Sequence, residues 1–258
     1  MSTLHVILQG PVARVTLARP EVRNAFNADL IAELTAAFAQ IAAAPDVRAV
    51  VLAAEGPAFC AGADLRWMQA MAAFSWDENH ADASRLAEMF WVIDRCPVPV
   101  IARVQGDAYA GGVGLVACAD IAVSVDSASY CLSEARLGLL PGTIAPYVVR
   151  AMGERAARRY FTTAERFDAA EALRLGLVHE VVVAGQLDAR VDELAALLCA
   201  NGPVAVRACK RLVQDVAGRE ITPSLRDDTA RRIADICASD EGRAGVASFL
   251  NKTPPPWR

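Results

Sequence analysis

The 258-residue chain has few histidines and no excess of basic residues. Three histidines stand beside 26 lysines and arginines, which are outnumbered by 30 aspartates and glutamates, giving a formal net charge of −4. A protein of this charge has no overall positive field to hold a nucleic acid. We therefore expect no nucleic-acid partner, and any phosphate on a ligand must be bound by local basic residues.

Long apolar runs are also missing. No stretch of about twenty uninterrupted apolar residues, the length needed to span a bilayer, occurs anywhere. The first twenty residues, MSTLHVILQGPVARVTLARP, contain no cationic stretch, and Gln, Gly and Pro interrupt their apolar residues, unlike a signal or transit peptide. We predict a cytoplasmic protein without a membrane partner.

The cysteines lack metal-binding or disulfide spacing. Their number is odd, none forms a CxxC pair, and most lie among apolar residues, which indicates buried thiols in a reducing compartment; they are Cys60, Cys96, Cys118, Cys131, Cys199, Cys209 and Cys237. A nucleophilic thiolate at Cys60 would need an adjacent base, and none is evident. No metal site is predicted.

Hydrophobic patterning divides the chain into two parts. A hairpin around Gly10 and Pro11, a helix over 26–43, and strands over 47–54 and 98–106 follow a βαβ rhythm, and both of these strands are apolar on both faces. Further on, the pattern predicts short strands over 121–133, a helix from Tyr147, a turn at Thr162–Thr163, and a second helix ending at Gly176. From Leu187 onward four amphipathic helices follow. We predict a core over 1–186 and a helical region over 187–258.

Two small, glycine-rich segments carry the strongest functional signal. FCAGADL at 59–65 and AYAGGVGL at 108–115 each follow or approach a predicted strand, and the second opens a helix after a loop at 106–109. Small residues let a ligand reach backbone N–H groups, and two converging N–H donors form an oxyanion hole. The alternative is that each glycine pair serves only close packing.

One acidic residue stands out downstream of these segments. Glu134 lies in CLSEARLGLLPGT, between an apolar run and a Leu-Gly-Leu-Leu-Pro turn. A carboxyl group flanked by apolar residues is a candidate for a raised pKa and for proton transfer near neutral pH. A surface or helix-capping glutamate is the other interpretation.

Five motifs together resemble the enoyl-CoA hydratase/isomerase (crotonase) family. In chain order they are RPEVRNAF at 19–26, FCAGADL, AGGVGLVACAD at 110–120, SEARLGLLPG at 133–142 and AERFDAAEALRLGLVHEVV at 164–182. The resemblance runs from about Val6 to Trp257. It implies an α/β fold with a crotonase-like ββα superhelix core and a C-terminal all-helical trimerisation region. Within the family, the region around TIAPYVVRAMGERAARRYF looks most like bacterial methylglutaconyl-CoA hydratases.

The resemblance also implies roles for individual residues. The backbone N–H groups of Ala63 and Gly111 would form the oxyanion hole for a thioester carbonyl, and Glu134 would be the catalytic acid/base. The residues that the resemblance and the pattern around these motifs place at the acyl-CoA substrate are Arg23, Ala25, Ala61, Asp64, Leu65, Arg66, Gly112, Gly114, Leu140 and Tyr147. Arg23 and Arg66 are the cations nearest to the phosphates in this assignment.

The chain departs from the two-glutamate hydratases of the family at Gly114, where those enzymes carry a second acid. A single carboxylate can still add water to a 2-enoyl-CoA if it takes the proton of water and returns it to the α-carbon on the same face. It can also move one proton between the α- and γ-carbons, which is double-bond isomerisation. We expect hydration of a branched or carboxylated acyl group, with Gly114 leaving room for a bulkier acyl group or an ordered water.

Other classes of function are weaker alternatives. A non-catalytic acyl-CoA-binding or RNA-associated protein would explain the absent acid, but Glu134 and both glycine segments are intact. No GxGxxG or GxxxxGK[ST] motif follows a strand, which argues against a nicotinamide or nucleoside triphosphate enzyme. Coenzyme A is part of the substrate, so no separate cofactor is expected. The resemblance implies a homotrimer or hexamer.

Overall fold

The computed structural model describes residues 3–258, so the first two residues of the predicted core lie outside the described residues. The strands of this part of the chain are β1 (Leu4–Gln9), β2 (Val12–Leu17), β3 (Ala49–Ala54), β4 (Ala58–Cys60), β5 (Val100–Val104), β6 (Asp107–Tyr109), β7 (Ile121–Val125), β8 (Ser129–Cys131), β9 (Arg166–Asp168) and β10 (Glu180–Val182). Its helices are α1 (Ala28–Ala43), α2 (Leu65–Met71), α3 (Trp76–Asp94), α4 (Gly111–Cys118), α5 (Ala145–Met152), α6 (Glu154–Thr163), α7 (Ala169–Leu175), α8 (Leu187–Ala200), α9 (Pro203–Val216), α10 (Pro223–Ala238) and α11 (Asp240–Asn251).

Two sheets are built from strands that alternate between them. The large sheet has the order β1-β2-β3-β5-β7-β10, and the small sheet has the order β4-β6-β8-β9. All pairings are parallel except β1 with β2 and β8 with β9. The consecutive pairs β3/β4, β5/β6 and β7/β8 each give one strand to each sheet. This alternation is the ββα superhelix that the sequence resemblance implies.

The core lies on both faces of the large sheet. Every residue of β3 is buried, which confirms the prediction that this strand is covered on both sides. The helix α1 begins after Asn27, whose side chain accepts a 2.9 Å hydrogen bond from the Leu30 amide and caps the helix. Its buried residues join one continuous hydrophobic cluster with the sheet.

The predicted division of the chain at residue 186 stays a prediction. Helix α8, on the C-terminal side of that boundary, packs against β3, β5 and β7. Its residues Leu187, Val191 and Ala195 are buried in the same cluster as the sheet. The helices that follow, α9 to α11, bury far fewer side chains. None of the described helices combines the length and apolar composition needed to cross a membrane.

The region from Tyr147 to Gly176 differs from its prediction. The first predicted helix is interrupted at Gly153, whose φ of 77° lies in the left-handed region and separates α5 from α6. The predicted turn at Thr162–Thr163 is wrong, because α6 includes both threonines; the turn comes at Ala164, the residue after the helix, which has a φ of 51°. The predicted end at Gly176 is confirmed, and its φ of 82° is one that glycine adopts without strain.

Candidate active site

Three neighbouring strands of the small sheet lead into the three predicted catalytic residues. β4 pairs in parallel with β6, and β6 pairs in parallel with β8. The chain leaves the carboxyl ends of these strands and reaches Ala63, Gly111 and Glu134, each within three residues. Adjacent strands lie about 4.8 Å apart, and open parallel sheets bind ligands outside the carboxyl ends of their strands. The fold therefore brings the three residues together at the carboxyl ends of the strands of the small sheet.

The backbone around Ala63 leaves its N–H group unused. Phe26 and Ala63 form a parallel bridge in which the Phe26 amide donates to the Gly62 carbonyl at 2.7 Å and the Asp64 amide donates to the Phe26 carbonyl at 2.8 Å. In such a bridge the N–H of the central residue points to the opposite side. Within the described chain the Ala63 N–H donates to no acceptor, so it is free for a ligand.

Gly111 carries the second free donor because it is the first residue of α4. The first N–H groups of a helix have no partner inside the helix, and among residues 3–258 none accepts from the Gly111 amide. Its predecessor Ala110 has φ 48° and ψ −118°, a strained conformation for a residue with a Cβ atom. The Ala110 amide donates to the Cys131 carbonyl at 2.8 Å, which fixes this turn to β8.

The two glycine segments touch through their backbones. A Cβ atom added to Gly62 would lie 2.9 Å from the Cβ of Ala110, and one added to Gly112 would lie 2.3 Å from the Cys60 carbonyl oxygen. Glycine at these positions permits the close approach. Close packing and ligand binding are therefore compatible at these segments. The glycines let the two segments pack closely, and this packing places two unused N–H groups on adjoining turns.

Glu134 starts a 3-10 helix that follows β8 and ends at Leu137. Its Oε2 atom is buried and has no hydrogen-bond partner in the described chain. Burial raises the pKa of this carboxyl group above the ordinary 4.5, although a hydrogen bond from its own amide acts in the opposite direction. A half-buried carboxyl group with a free oxygen and a raised pKa is suited to accept and return a proton. This geometry argues against a surface or capping glutamate.

Two residues predicted to bind the substrate, Arg23 and Ala61, line a cavity of about 230 Å³. It is lined by Arg23, Pro57, Ala58, Ala61, Asp107 and Tyr109. Arg23 is the cation of this set, and its side chain forms no ion pair within the described residues. The exposed Arg66 is likewise outside every ion pair of this part of the chain, so both guanidinium groups are available to phosphate oxygens.

At other residues predicted to contact the substrate through the main chain, the backbone amide already donates a hydrogen bond within the protein. The Ala25 amide donates to the Val22 carbonyl, and the Ala61 amide donates to the Arg23 carbonyl. The Asp64 amide donates to the Phe26 carbonyl. The carbonyls of Ala25 and Asp64 also accept hydrogen bonds, from the Arg19 guanidinium and the Met68 amide. Leu65, at the start of α2, exposes 80% of its surface.

Comparison with known proteins identifies the family of this chain. A family model described as enoyl-CoA hydratase/isomerase matches residues 8–258. The enoyl-CoA hydratase EchA19 of Mycobacterium tuberculosis is 32% identical over 249 residues, which cover 96% of this chain and 93% of that protein. The chain belongs to the enoyl-CoA hydratase/isomerase family. It is an enzyme of that family.

Solved structures give the same answer for the fold. The enoyl-CoA hydratase of Shewanella pealeana is 40% identical, with a TM-score of 0.96 over 99% of this chain and 96% of that one. The enoyl-CoA hydratase of Mycobacterium smegmatis is 35% identical, with a TM-score of 0.94 over 99% and 98% of the two chains. The predicted family and fold class are confirmed. None of these three names specifies an acyl group, so the methylglutaconyl-CoA specificity stays a prediction.

At Gly114 this enoyl-CoA hydratase/isomerase family member differs from expectation. Gly114 is buried, and a Cβ atom there would lie 2.2 Å from Ile144 Cγ2 and 3.0 Å from Phe90 Cε1. The prediction that Gly114 leaves room for a larger acyl group or a water molecule is therefore wrong, because two side chains fill that space. No acidic side chain fits there without moving Ile144.

The residues predicted to shape the acyl pocket lie in different environments. Leu140 exposes 75% of its surface, together with Leu137 and Leu139 of the same turn. Tyr147 is buried on α5, with its ring centroid 6.1 Å from that of Phe90, and burial raises its pKa to about 12. Tyr147 therefore supports the packing around Gly114, whereas the leucines form an exposed apolar turn beside Glu134.

One charged residue near the site, Arg19, was not predicted to have a role. It belongs to the RPEVRNAF motif. In the structure its guanidinium forms a 2.8 Å ion pair with Asp64, and both side chains are largely enclosed. The only sequence signal was its place in a family motif, because its partner lies 45 residues away.

Proposed function

We propose that this enzyme adds water across the double bond of a 2-enoyl-CoA to give the 3-hydroxyacyl-CoA. The observation that carries the proposal is the placement of Ala63, Gly111 and Glu134 after the ends of three adjacent parallel strands. Two unused N–H groups would bind the thioester oxygen, and one carboxylate beside them would handle the proton.

The proposed reaction needs two proton transfers and one carboxylate. As the oxygen of water bonds to C3, Glu134 takes its proton, and the electron pair of the double bond moves toward the thioester to form an enolate. The two N–H donors stabilise the enolate oxygen, a contribution that typically amounts to roughly 10²–10³ in rate for each donor. Glu134 then gives the proton to C2 on the same face. All atoms of the product come from water and the 2-enoyl-CoA, and no electrons are gained or lost, so we propose that no separate cofactor takes part.

For the acyl group we propose a branched or carboxylated chain, such as 3-methylglutaconyl-CoA. Its support is the similarity of the segment around 133–182 to hydratases of branched acyl groups. The filled space at Gly114 removes the second argument for this choice. We retain the cytoplasmic location as a prediction of the sequence.

We also propose that the protein assembles as a trimer or hexamer through its C-terminal helices. Large apolar side chains are exposed on and between α9, α10 and α11; they are Val204, Val213, Ile221, Ile233, Val246, Phe249 and Leu250. Exposed apolar surface of this extent is typical of an interface. Light scattering after size exclusion tests it, and a particle of 27.4 kDa, one chain, would contradict it.

The test of the function is incubation of the purified enzyme in ¹⁸O-labelled water with crotonyl-CoA, 3-methylglutaconyl-CoA and a 3-enoyl-CoA. Hydration consumes the ultraviolet absorbance of the conjugated thioester and adds one labelled water to the product mass. A 3-enoyl-CoA converted to its conjugated isomer without a mass change, with no labelled product from either 2-enoyl-CoA, would establish the isomerase instead. Binding of all three without any conversion would indicate a non-catalytic protein.

A further inference from the structure

Arg19 connects two segments that meet beside the Ala63 amide. It follows β2, and its guanidinium donates one hydrogen bond to the Ala25 carbonyl and another, of 2.8 Å, to Asp64 Oδ2. The Arg19 side chain is 14% exposed and that of Asp64 is 9% exposed. Enclosed ion pairs with additional hydrogen bonds fix geometry more firmly than surface pairs do.

Asp64 is held from its other side as well. Its Oδ1 atom accepts a 2.8 Å hydrogen bond from the Arg66 amide, so the same carboxylate caps the first turn of α2. Burial disfavours the charged form, but the hydrogen bond and charge of Arg19 outweigh this and keep the pKa of Asp64 below its usual value. The carboxylate is therefore a fixed anionic joint between the Arg19 side chain and the start of α2.

The residue directly before this joint is Ala63, whose N–H must point at the substrate oxygen. Its own N–H makes no bond in the described chain, and it is preceded by Gly62, which offers little resistance to rotation because it lacks a Cβ atom. The peptide plane that carries the donor is thus held by the Phe26 bridge and by the Asp64 joint.

We propose that Arg19 is a positioning residue for the first oxyanion donor: through Asp64 and the Ala25 carbonyl it sets the direction of the Ala63 N–H group. This inference rests on the proposed function, because it assigns a task in stabilising the enolate oxygen. Arg19 itself touches no substrate atom. Small misplacements of a reacting group cost up to about 10²-fold in rate, so the effect belongs in the catalytic step.

The variants Arg19→Lys, Arg19→Gln and Asp64→Asn test the inference. Arg14→Gln is the matched control. Arg14 lies on β2, the strand that leads into Arg19, and forms a 3.0 Å ion pair with Asp192 on α8. Neither Arg14 nor Asp192 is among the residues predicted to contact the substrate. For each variant we would measure kcat and KM with the substrate that the wild type converts best, the melting temperature, and the near-ultraviolet absorbance of bound acetoacetyl-CoA. The enolate of this 3-oxoacyl thioester reports on the oxyanion donors without any hydration step.

We expect Arg19→Gln and Asp64→Asn to lower kcat at least about tenfold with a much smaller change in KM, and to weaken the enolate band of acetoacetyl-CoA. Arg19→Lys should recover part of both signals, because it keeps the charge but not the planar fork of donors. Arg14→Gln should keep the wild-type kcat and enolate band. If Arg19→Gln fails to fold, the nearly isosteric Asp64→Asn and the conservative Arg19→Lys decide.

The inference is overturned if the folded variants lose melting temperature but keep the wild-type kcat and enolate band, since Arg19 is then only structural. It is also overturned if KM rises while kcat is unchanged. Failure of the proposed function gives a different result: the wild type then converts no 2-enoyl-CoA, while the variants are still compared by the enolate band and by isomerisation of the 3-enoyl-CoA.

Discussion

A Cβ atom added to Gly62 would lie 2.9 Å from the Cβ atom of Ala110. These two residues directly precede Ala63 and Gly111, the two predicted oxyanion donors. Both also have positive φ angles, 88° at Gly62 and 48° at Ala110. The turns that aim the two N–H groups are therefore in contact, so a change in one turn is transmitted to the other.

Gly62→Ala is expected to reduce both stability and turnover. The new methyl group would clash with Ala110 and would force a φ of 88° on a residue with a side chain, which costs about 1–3 kcal/mol for the backbone alone. Because the clash pushes the two donors apart, we expect kcat to fall by roughly the 10²–10³ that removal of one oxyanion donor costs. Steady-state kinetics and urea denaturation measure the two effects.

Gly10→Ala is the control for backbone strain in that comparison. Gly10 has a φ of 58°, and a Cβ atom there would have no heavy atom within 4 Å. It lies in the hairpin between β1 and β2, so its substitution should lower stability without affecting kcat. Equal kcat for Gly62→Ala and the wild type would show that contact between the two turns does not position the donors.

The residues predicted to be catalytic could be picked out from the sequence because they lie in contiguous motifs. Ala63, Gly111 and Glu134 each stand in a short segment whose small or apolar neighbours are visible in the chain. The fold places them together through pairings of three-residue strands. Strands this short show no alternating pattern, so β4, β6 and β9 could not be recognised from periodicity.

Features that depend on distant partners could not be predicted. The role inferred for Arg19 requires Asp64, which lies 45 residues later in the chain. The space at Gly114 is filled by Ile144, the residue that precedes α5. A glycine in a sequence indicates only that its own side chain is absent. Which neighbour occupies the space is decided by the packing of α4 against α5, which no local pattern encodes.

Glu134→Gln is expected to lower kcat by 10²–10⁴, the usual contribution of a general acid–base group, with little change in acyl-CoA binding. The amide keeps the shape of the side chain but cannot exchange a proton. In the wild type, kcat/KM should fall in acid with a midpoint above 4.5, because burial raises the pKa of Glu134. Retention of more than about a tenth of the wild-type kcat would contradict this role.

The same substitution should make the protein more stable at neutral pH. The folded state raises the pKa of Glu134, so this group favours folding most below the unfolded-state pKa of about 4.5, and the contribution is lost as pH rises through the folded-state value. At pH 7 the wild type therefore holds an unfavourable buried charge that Glu134→Gln removes. We expect a higher melting temperature for the variant at pH 7 and no gain near pH 4.

Glu180→Gln provides a comparison of opposite sign. A hydrogen bond from Arg190 keeps the pKa of Glu180 below its usual value, so its stabilising contribution is present above the unfolded-state pKa and is lost as pH falls through the folded-state value. This variant should melt lower than the wild type at pH 7. If both variants shifted the melting temperature in the same direction, burial of an unpartnered carboxylate at Glu134 would not be the cause.

Gly114→Ala tests whether the position of the missing second acid is filled. In an open helix the change would stabilise the protein by up to about 1 kcal/mol. Here the methyl group would meet Ile144 Cγ2 at 2.2 Å, and overpacking of this kind typically costs about 1–3 kcal/mol. We therefore expect a net loss of stability in urea denaturation, although alanine is the better helix former.

Ile144→Ala supplies the decisive comparison, because it removes Cγ2, the nearest of the atoms that a Cβ at position 114 would meet. Alone it should cost about 2–5 kcal/mol by leaving a cavity. In the double variant the alanine methyl at position 114 enters that cavity, so the combined loss should be smaller than the two single losses added together. Simple additivity, or a stabilising Gly114→Ala, would mean that the space is open after all and that a second carboxylate could stand there. Non-additivity would show that packing against Ile144 excludes the second acid, which leaves both proton transfers to Glu134.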